Sequence, residues 1–412
     1  MVCASRPDPV PLGPRYHSTS LEPEAVAPAT RSLAHMTYSP LRFLPHLLHK
    51  SRPIHLVMFV TKVCNARCPF CFYLEDANFS LEQGDLTMDE ITAVSKSLGN
   101  MLWVAFSGGE VFLRKDLPQI AQTFYRNNKP SIMFFPTNGI QPDRIVAATE
   151  EILKTCPKTA CTVKISIDAV GDLHSQMRGV KNTFENCVRT YEALNPLLDK
   201  YPNFDLGINT VFAAQNQHKV GEVIDFVRKW RVTTHTLSLA RGDLKNPEWK
   251  NVDMQLYRSH VDRLEREMKA GEHPIYRFWG GRIKAAQDII QRQMIYKTAV
   301  EGRWQTPCYA GRVNVTVTHD GKLYPCEELS EDFLIADMRK EGHFDIEKHL
   351  QGDRAKQVLK RIDNGCFCTH ECYAMTNTLF NPRKSLSILK EAARLPKARG
   401  PRPSAPAPQA GS

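Results

Sequence analysis

The chain reads as an α/β protein, a partial (β/α)6 barrel of parallel strands followed by a small C-terminal α+β domain. Three features of the pattern point there. Six short β-rich apolar runs recur at His55–Thr61, Leu102–Ser107, Ile132–Thr137, Thr162–Asp168, Asp205–Phe212 and Thr233–Ala240. Helical periodicity separates them at about 88–98, 116–127, 142–154, 182–198 and 217–229. After Arg241 the character changes to long charged helices and then to a short hairpin signal.

Each element has its own warrant. Thr87-Met88-Asp89-Glu90 is a capping box that starts the first helix, and Gly99 offers it a stop. Strands that alternate with helices form parallel βαβ units, which place active groups at the carboxyl ends of the strands. Six units are too few to close a barrel, so one side is left open. Residues 253–300 read as two helices. Arg312–Thr318 and Lys322–Tyr324 read as a hairpin turning at His319-Asp320-Gly321. Residues 1–40 hold seven prolines and 396–412 five more, so both ends read as disordered. The expected organisation is a disordered extension over 1–45, a barrel over 46–245 and a helical connection over 246–304. A cysteine-rich domain over 305–380 and a basic, proline-rich disordered tail over 381–412 follow.

The 412 residues are 42% hydrophobic and 24% charged, as in soluble globular proteins. The longest apolar run, Ile54–Val60, is far short of the ~20 residues that cross a bilayer. No basic-then-apolar leader opens the chain, so a cytoplasmic protein with no membrane partner is expected. The net charge of +10 is concentrated in residues 381–412, which carry seven Lys/Arg and one acid. The rest is close to neutral for its size, which argues against a nucleic-acid partner.

The twelve cysteines are informative, because a reducing compartment favours metal or redox use over disulfides. Cys3, Cys156, Cys161 and Cys187 are isolated and read as a tail thiol and buried small apolar groups. The other eight fall into two groups. Cys64-x3-Cys68-x2-Cys71 follows directly on the first strand, so three thiols share one loop above the sheet. Soft ligands at this spacing suit iron–sulfur or zinc, but a structural zinc site needs a fourth ligand and the local pattern has none. Three ligands on a four-iron cluster leave one iron open.

This loop, with Phe70 before its third cysteine, resembles the cluster loop of the radical S-adenosylmethionine superfamily. Ser107-Gly108-Gly109-Glu110 closes the second strand, where that family has the Gly-Gly-Glu segment that binds the methionine amino group. Thr137-Asn138-Gly139 and Ser166-Ile167-Asp168 end the third and fourth strands, as in relatives. The resemblance covers about residues 52–245. It implies a 4Fe–4S cluster on Cys64, Cys68 and Cys71 that cleaves S-adenosylmethionine to a 5′-deoxyadenosyl radical. It also implies cofactor contacts from Gly108, Gly109, Glu110, Ser166, Asp168 and Asn209, with Arg178 pairing the ligand carboxylate. Side-chain chemistry agrees: paired glycines allow close backbone approach, and a carboxylate takes a charge-assisted bond from an ammonium.

The second group is Cys308, Cys326, Cys366, Cys368 and Cys372. Four cysteines close a zinc site as readily as they ligate a cluster. The Cys308-x12-Gly321-x4-Cys326 opening resembles the SPASM and twitch extensions that hold auxiliary iron–sulfur clusters. Five cysteines cannot fully ligate two clusters, so one auxiliary 4Fe–4S cluster of the twitch kind is expected. Cys308, Cys326 and Cys372 match its ligand positions best, with Cys366 or Cys368 as the fourth; His370 is a further candidate. Enzymes of this kind act on peptides or protein side chains. The alternative is oxidation or rearrangement of a sugar, aminoglycoside or cofactor precursor, and a plain iron–sulfur electron carrier is a third reading. A ferredoxin or flavodoxin is the expected electron donor.

Overall fold

The computed structural model describes residues 37–73, 84–272 and 275–396. Its six leading strands, β1 (His55–Thr61), β2 (Trp103–Gly108), β3 (Ile132–Thr137), β4 (Ala160–Ser166), β5 (Phe204–Phe212) and β6 (Thr234–Leu239), pair in parallel in chain order. The helices between them are α1 (Met88–Lys96), α2 (Leu117–Asn128), α3 (Pro142–Thr155), α4 (Asp172–Arg178), α5 (Thr183–Leu194), α6 (Leu197–Lys200) and α7 (Val220–Arg228). The expected capping box is present, since Thr87 and Glu90 each cap the other's backbone N–H. The helix stops before Gly99, at Ser97. The seven-residue α4 was not foreseen, because it is too short for its periodicity to register.

Beyond the barrel lie α8 (Met254–Lys269), α9 (Gly281–Glu301), β7 (Asn314–Val317), β8 (Lys322–Tyr324) and β9 (Ala336–Asp337). The hairpin forms where expected, with Gly321 at a positive φ of 87°. However, β7 also pairs in parallel with β1, so the sheet runs β6-β5-β4-β3-β2-β1-β7-β8-β9 and stays open at both ends. The C-terminal strands therefore extend the barrel sheet instead of starting a separate one. The chain ends in α10 (Ile346–Gln351), α11 (Asp353–Asp363), α12 (Glu371–Leu379) and α13 (Pro382–Arg394).

Two disorder expectations need correction. Pro40–Leu47 forms a 3-10 helix capped by the Ser39 side chain. Residues 382–394 form α13, with Asn381 accepting from the Arg383 and Lys384 N–H groups and Pro382 in the first turn. Ile388 and Ala392 lie one turn apart and are buried, which holds the helix in place despite its basic composition. The remaining stretches of the expected extension and tail, 1–36 and 397–412, lie outside the described residues.

The parallel strands have two unlike faces. Leu56, Met58, Val104, Phe106, Met133, Val163 and Ile208 pack into the main core with the helices. On the other face some alternate residues are partly accessible: Trp103 and Ser107 on β2, Phe134 and Pro136 on β3, Ser166 on β4, Asn209 and Val211 on β5, Thr236 on β6. Strand pairing puts these in register across the sheet, as with Ser166 beside Asn209. They line an open lumen. Among the described residues no helix is long and apolar enough to cross a membrane.

Candidate metal centre

The first cysteine loop is fixed by backbone contacts from the strand beside it. Pairing of β1 with β2 shifts register between Phe59 and Thr61, where the loop begins. The Gly109 N–H donates to the Thr61 carbonyl at 2.8 Å and the Glu110 N–H to the Val63 carbonyl at 2.9 Å. A Cβ on Gly108 would lie 2.2 Å from the Thr61 carbonyl oxygen, and one on Gly109 2.0 Å from that of Val63. The two glycines thus bring the end of β2 against the loop. The close approach expected towards a ligand is, in this structure, an approach of chain to chain.

The loop's sulfurs face hydrogen-bond donors. The Arg178 Nη1–H points at the Cys68 sulfur from 3.5 Å, and the Asn138 Nδ2–H at that of Cys64 from 3.9 Å. Such donors stabilise anionic sulfur and tune a bound cluster. Burial pushes the Cys64 thiol up to about 12 and that of Cys68 to about 11. Thiols like these ionise at neutral pH when a cation binds them. Among the described residues no three cysteine sulfurs lie within 4.8 Å of one another. Three soft thiols of this kind suit an iron–sulfur cluster with one iron left open, or zinc with a fourth ligand from elsewhere.

Glu110 sits beside this loop, buried, with Oε1 accepting from the Thr137 hydroxyl at 2.8 Å and the Phe112 N–H at 3.3 Å. Its Oε2 accepts from the Asn138 N–H at 2.7 Å. A carboxylate has about four acceptor directions, so one on Oε2 is left for a further donor. Burial raises this carboxyl to about 7.

Two expected ligand contacts are committed elsewhere. Asp168 is fully buried, and its Oδ1 accepts from the Val211 N–H at 2.9 Å while Oδ2 pairs with Arg178 at 2.6 Å. Arg178 pairs with Asp168, donates to the Cys68 sulfur and lies 5.5 Å over the Phe70 ring, so it braces the cysteine loop, while its buried Nε has no partner among the described residues. Its neighbour Gly179 is tight against Arg67, whose N–H donates to the Arg178 carbonyl at 2.8 Å. Ser166 and Asn209 do reach the lumen, where the Asn209 Oδ1 accepts from the Ser238 hydroxyl at 2.9 Å.

Residues 58–227 match the model of the radical SAM superfamily. The chain carries a radical SAM domain. An Fe-coproporphyrin III synthase of Methanosarcina barkeri is 26% identical over 247 residues, 54% of this chain and 56% of that protein. A GTP 3′,8-cyclase of Pasteurella multocida is 31% identical over 150 residues, 32% of this chain and 42% of its own length. The chain thus spans about half the length of these curated relatives. The solved structure of native anSMEcpe with bound AdoMet and Cp18Cys peptide superposes with a TM-score of 0.53. The match covers 83% of this chain and 97% of that one at 16% identity, which is a likeness of fold. Radical SAM proteins are enzymes that use a 4Fe–4S cluster and AdoMet, and the thiol loop lies within the matched residues.

After the radical SAM domain, the second cysteine group divides. Burial and then the neighbouring thiols of Cys368, Cys308 and Cys366 push the Cys326 thiol well above its ordinary value. Cys366 is raised by burial and then by Cys308. Cys372 has other company: burial, then Glu327, raises it, with the Arg241 guanidinium opposing. It packs against the cluster of Val57, Phe59 and Ala105 on the lumen face, together with Phe72 and Tyr73. Cys308, Cys326, Cys366 and Cys368 thus neighbour one another, while Cys372 packs both with the core around Cys326 and against the lumen face. His370 is buried with its ring edge-on to Phe72 at 5.9 Å, and its Nε2 has no partner among the described residues.

Sequence reasoning missed the lumen groups supplied from late in the chain. Glu371 Oε2 accepts from the Ser238 hydroxyl at 2.9 Å, and Arg241 lies 3.8 Å from Glu327. The alternation of Thr234, Thr236 and Ser238 in β6 was a usable sign of a polar inner face. Nothing local marked Glu371.

Proposed function

We propose that this chain reductively cleaves AdoMet and takes a hydrogen atom from a peptide or protein side chain as a maturation step. When bound, the cluster and AdoMet supply one electron transfer that yields methionine and a 5′-deoxyadenosyl radical. The chain's own residues do the rest. Cys64, Cys68 and Cys71 hold the first cluster, braced by Arg178 and Asn138. Glu110 offers its remaining acceptor direction to the methionine ammonium. Ser166 and Asn209, side by side at the strand ends, offer a hydroxyl and an amide to the ribose or carboxylate. Phe59, Trp103 and Phe134 make a partly apolar lumen that keeps water from the reacting atoms. Cys308, Cys326, Cys366 and Cys368 hold an auxiliary cluster.

The single observation that carries the reading is Glu110, buried beside the three-cysteine loop with one acceptor direction open. An electron carrier has no use for it. The peptide substrate is supported by the fold shared with a peptide-bound neighbour over most of both chains. A small-molecule substrate is the second reading, favoured by the names of the curated relatives. The test is anaerobic reconstitution, reduction with dithionite and assay of 5′-deoxyadenosine with AdoMet. Wild type should form it and Cys68→Ala should not; a wild type that forms none sinks the proposal. Deuterium passing into 5′-deoxyadenosine from a labelled peptide encoded beside the gene separates the two substrate readings.

A further inference from the structure

The amino ends of β2 and β3, opposite the cysteine loop, carry an apolar cavity of about 250 Å³. Phe43, Leu47, Leu102, Ile132, Ile283 and Ile388 are among its walls. Its rim is formed by the 3-10 helix Pro40–Leu47 on one side and α13 on the other. Leu41, Leu44, Leu48, Leu386 and Leu389 stand on or next to these two helices and are between 48% and 77% exposed. They are five of the eight large apolar side chains exposed among the described residues. Exposed apolar groups gathered at one place, not scattered, mark a contact surface.

The charge around the leucines says what kind. Residues 37–52 and 381–396 together carry seven Lys/Arg and a single acid, Glu391. Arg383 and Lys390 are exposed beside Leu386 and Leu389 on α13. A second copy of this chain would set one basic face against another, at a Coulombic cost. An anionic surface with an apolar interior has the complementary character, and helices that combine exposed leucines with Lys and Arg lie in such interfaces. We propose that this face docks peripherally on an anionic lipid surface, its leucines among the acyl chains and the groove between the helices taking one of them. Docked this way, the carboxyl ends of the strands and the lumen mouth face away from the lipid. The attachment departs from the sequence expectation of no membrane partner and is independent of the radical reading.

The test is co-sedimentation of the full-length reconstituted protein with phosphatidylcholine vesicles, alone or mixed with phosphatidylglycerol. Binding should require the anionic lipid and fall in high salt. Leu386→Asp with Leu389→Asp should weaken it at least about tenfold, since each leucine loses its transfer into an apolar phase. Lys384→Ala and Lys390→Ala should each weaken it about fivefold. These positions lie at the surface, so an unchanged melting temperature and iron content will show that the variants fold. Absence of binding to mixed vesicles, or equal binding by the Asp variant, overturns the proposal. So does a dimer in sedimentation velocity that the leucine changes dissociate, which would give the face to a second copy.

Discussion

In the first cysteine group three thiols come from one eight-residue loop, whereas in the second five come from several segments far apart in sequence. The first is held by its neighbours' backbone: glycines 108 and 109 sit where any side chain would strike the Thr61 and Val63 carbonyls. The second is held by the tertiary fold, since β7, β8 and the turn before α12 must all be in place before its sulfurs meet. A loop-borne ligand set can be read from spacing, but an assembled one has to be read from contacts. The clearest case is Cys372, whose sequence position resembles a ligand and which packs with the core around Cys326 as well as beside Glu327, Arg241 and the lumen aromatics.

The largest expected effect tests that division directly. Cys326→Ala should remove the auxiliary cluster and lower iron from about eight to about four per chain, as one 4Fe–4S cluster is lost. Cys372→Ala should leave the iron near eight, with the same cluster signals in the electron paramagnetic resonance spectrum. Loss of four iron atoms in Cys372→Ala would return that residue to the ligand set and displace Cys366 or Cys368.

A second experiment asks how far the first group depends on the pair behind it. Asp168→Asn leaves the Arg178 guanidinium buried without its counter-charge, and breaking a buried pair on one side costs about 3–5 kcal/mol. Denaturant unfolding should show that loss. Asp168→Leu combined with Arg178→Met should recover at least half of it, because an apolar pair of similar volume is tolerated. The double variant should still bind its first cluster more weakly, having lost the donor to the Cys68 sulfur. If the double variant is as unstable as the single one, packing, not charge, is what Asp168 supplies.

How much of this was legible in sequence follows from the range of each interaction. The six parallel strands were marked by local apolar runs, and all six lie within two residues of where the pattern put them. The cysteine loop and Glu110 were readable because strand ends carry their chemistry in consecutive residues. Asp168 and Arg178 were marked as site residues, but only the fold shows that they pair with each other. α13 was lost in a basic, proline-flanked stretch, for its stability comes from Ile388 and Ala392 packing against a distant helix. Glu371 meets Ser238 across 133 positions of sequence, a distance at which no periodicity speaks.

The smallest expected effect is a pH dependence specific to the first group. Burial lifts the Glu110 carboxyl from an ordinary 4.5 to about 7, against hydrogen bonds from Asn138, Thr137 and Phe112. Below the unfolded value both states hold the proton, and that contribution to stability is complete. Between the two values the folded chain keeps a proton that the unfolded chain has released. Stability is therefore lost as pH rises through about 7, by about 3 kcal/mol for a shift of this size. Glu110→Gln should flatten this slope in the protein without AdoMet. Binding runs the other way, because an ammonium pairs with the ionised carboxylate: AdoMet affinity should rise about tenfold between pH 6 and pH 8. Calorimetry on wild type and Glu110→Gln decides it. Equal pH slopes of affinity in the two would assign the ammonium to another residue and leave Glu110 as a brace for the third strand's end.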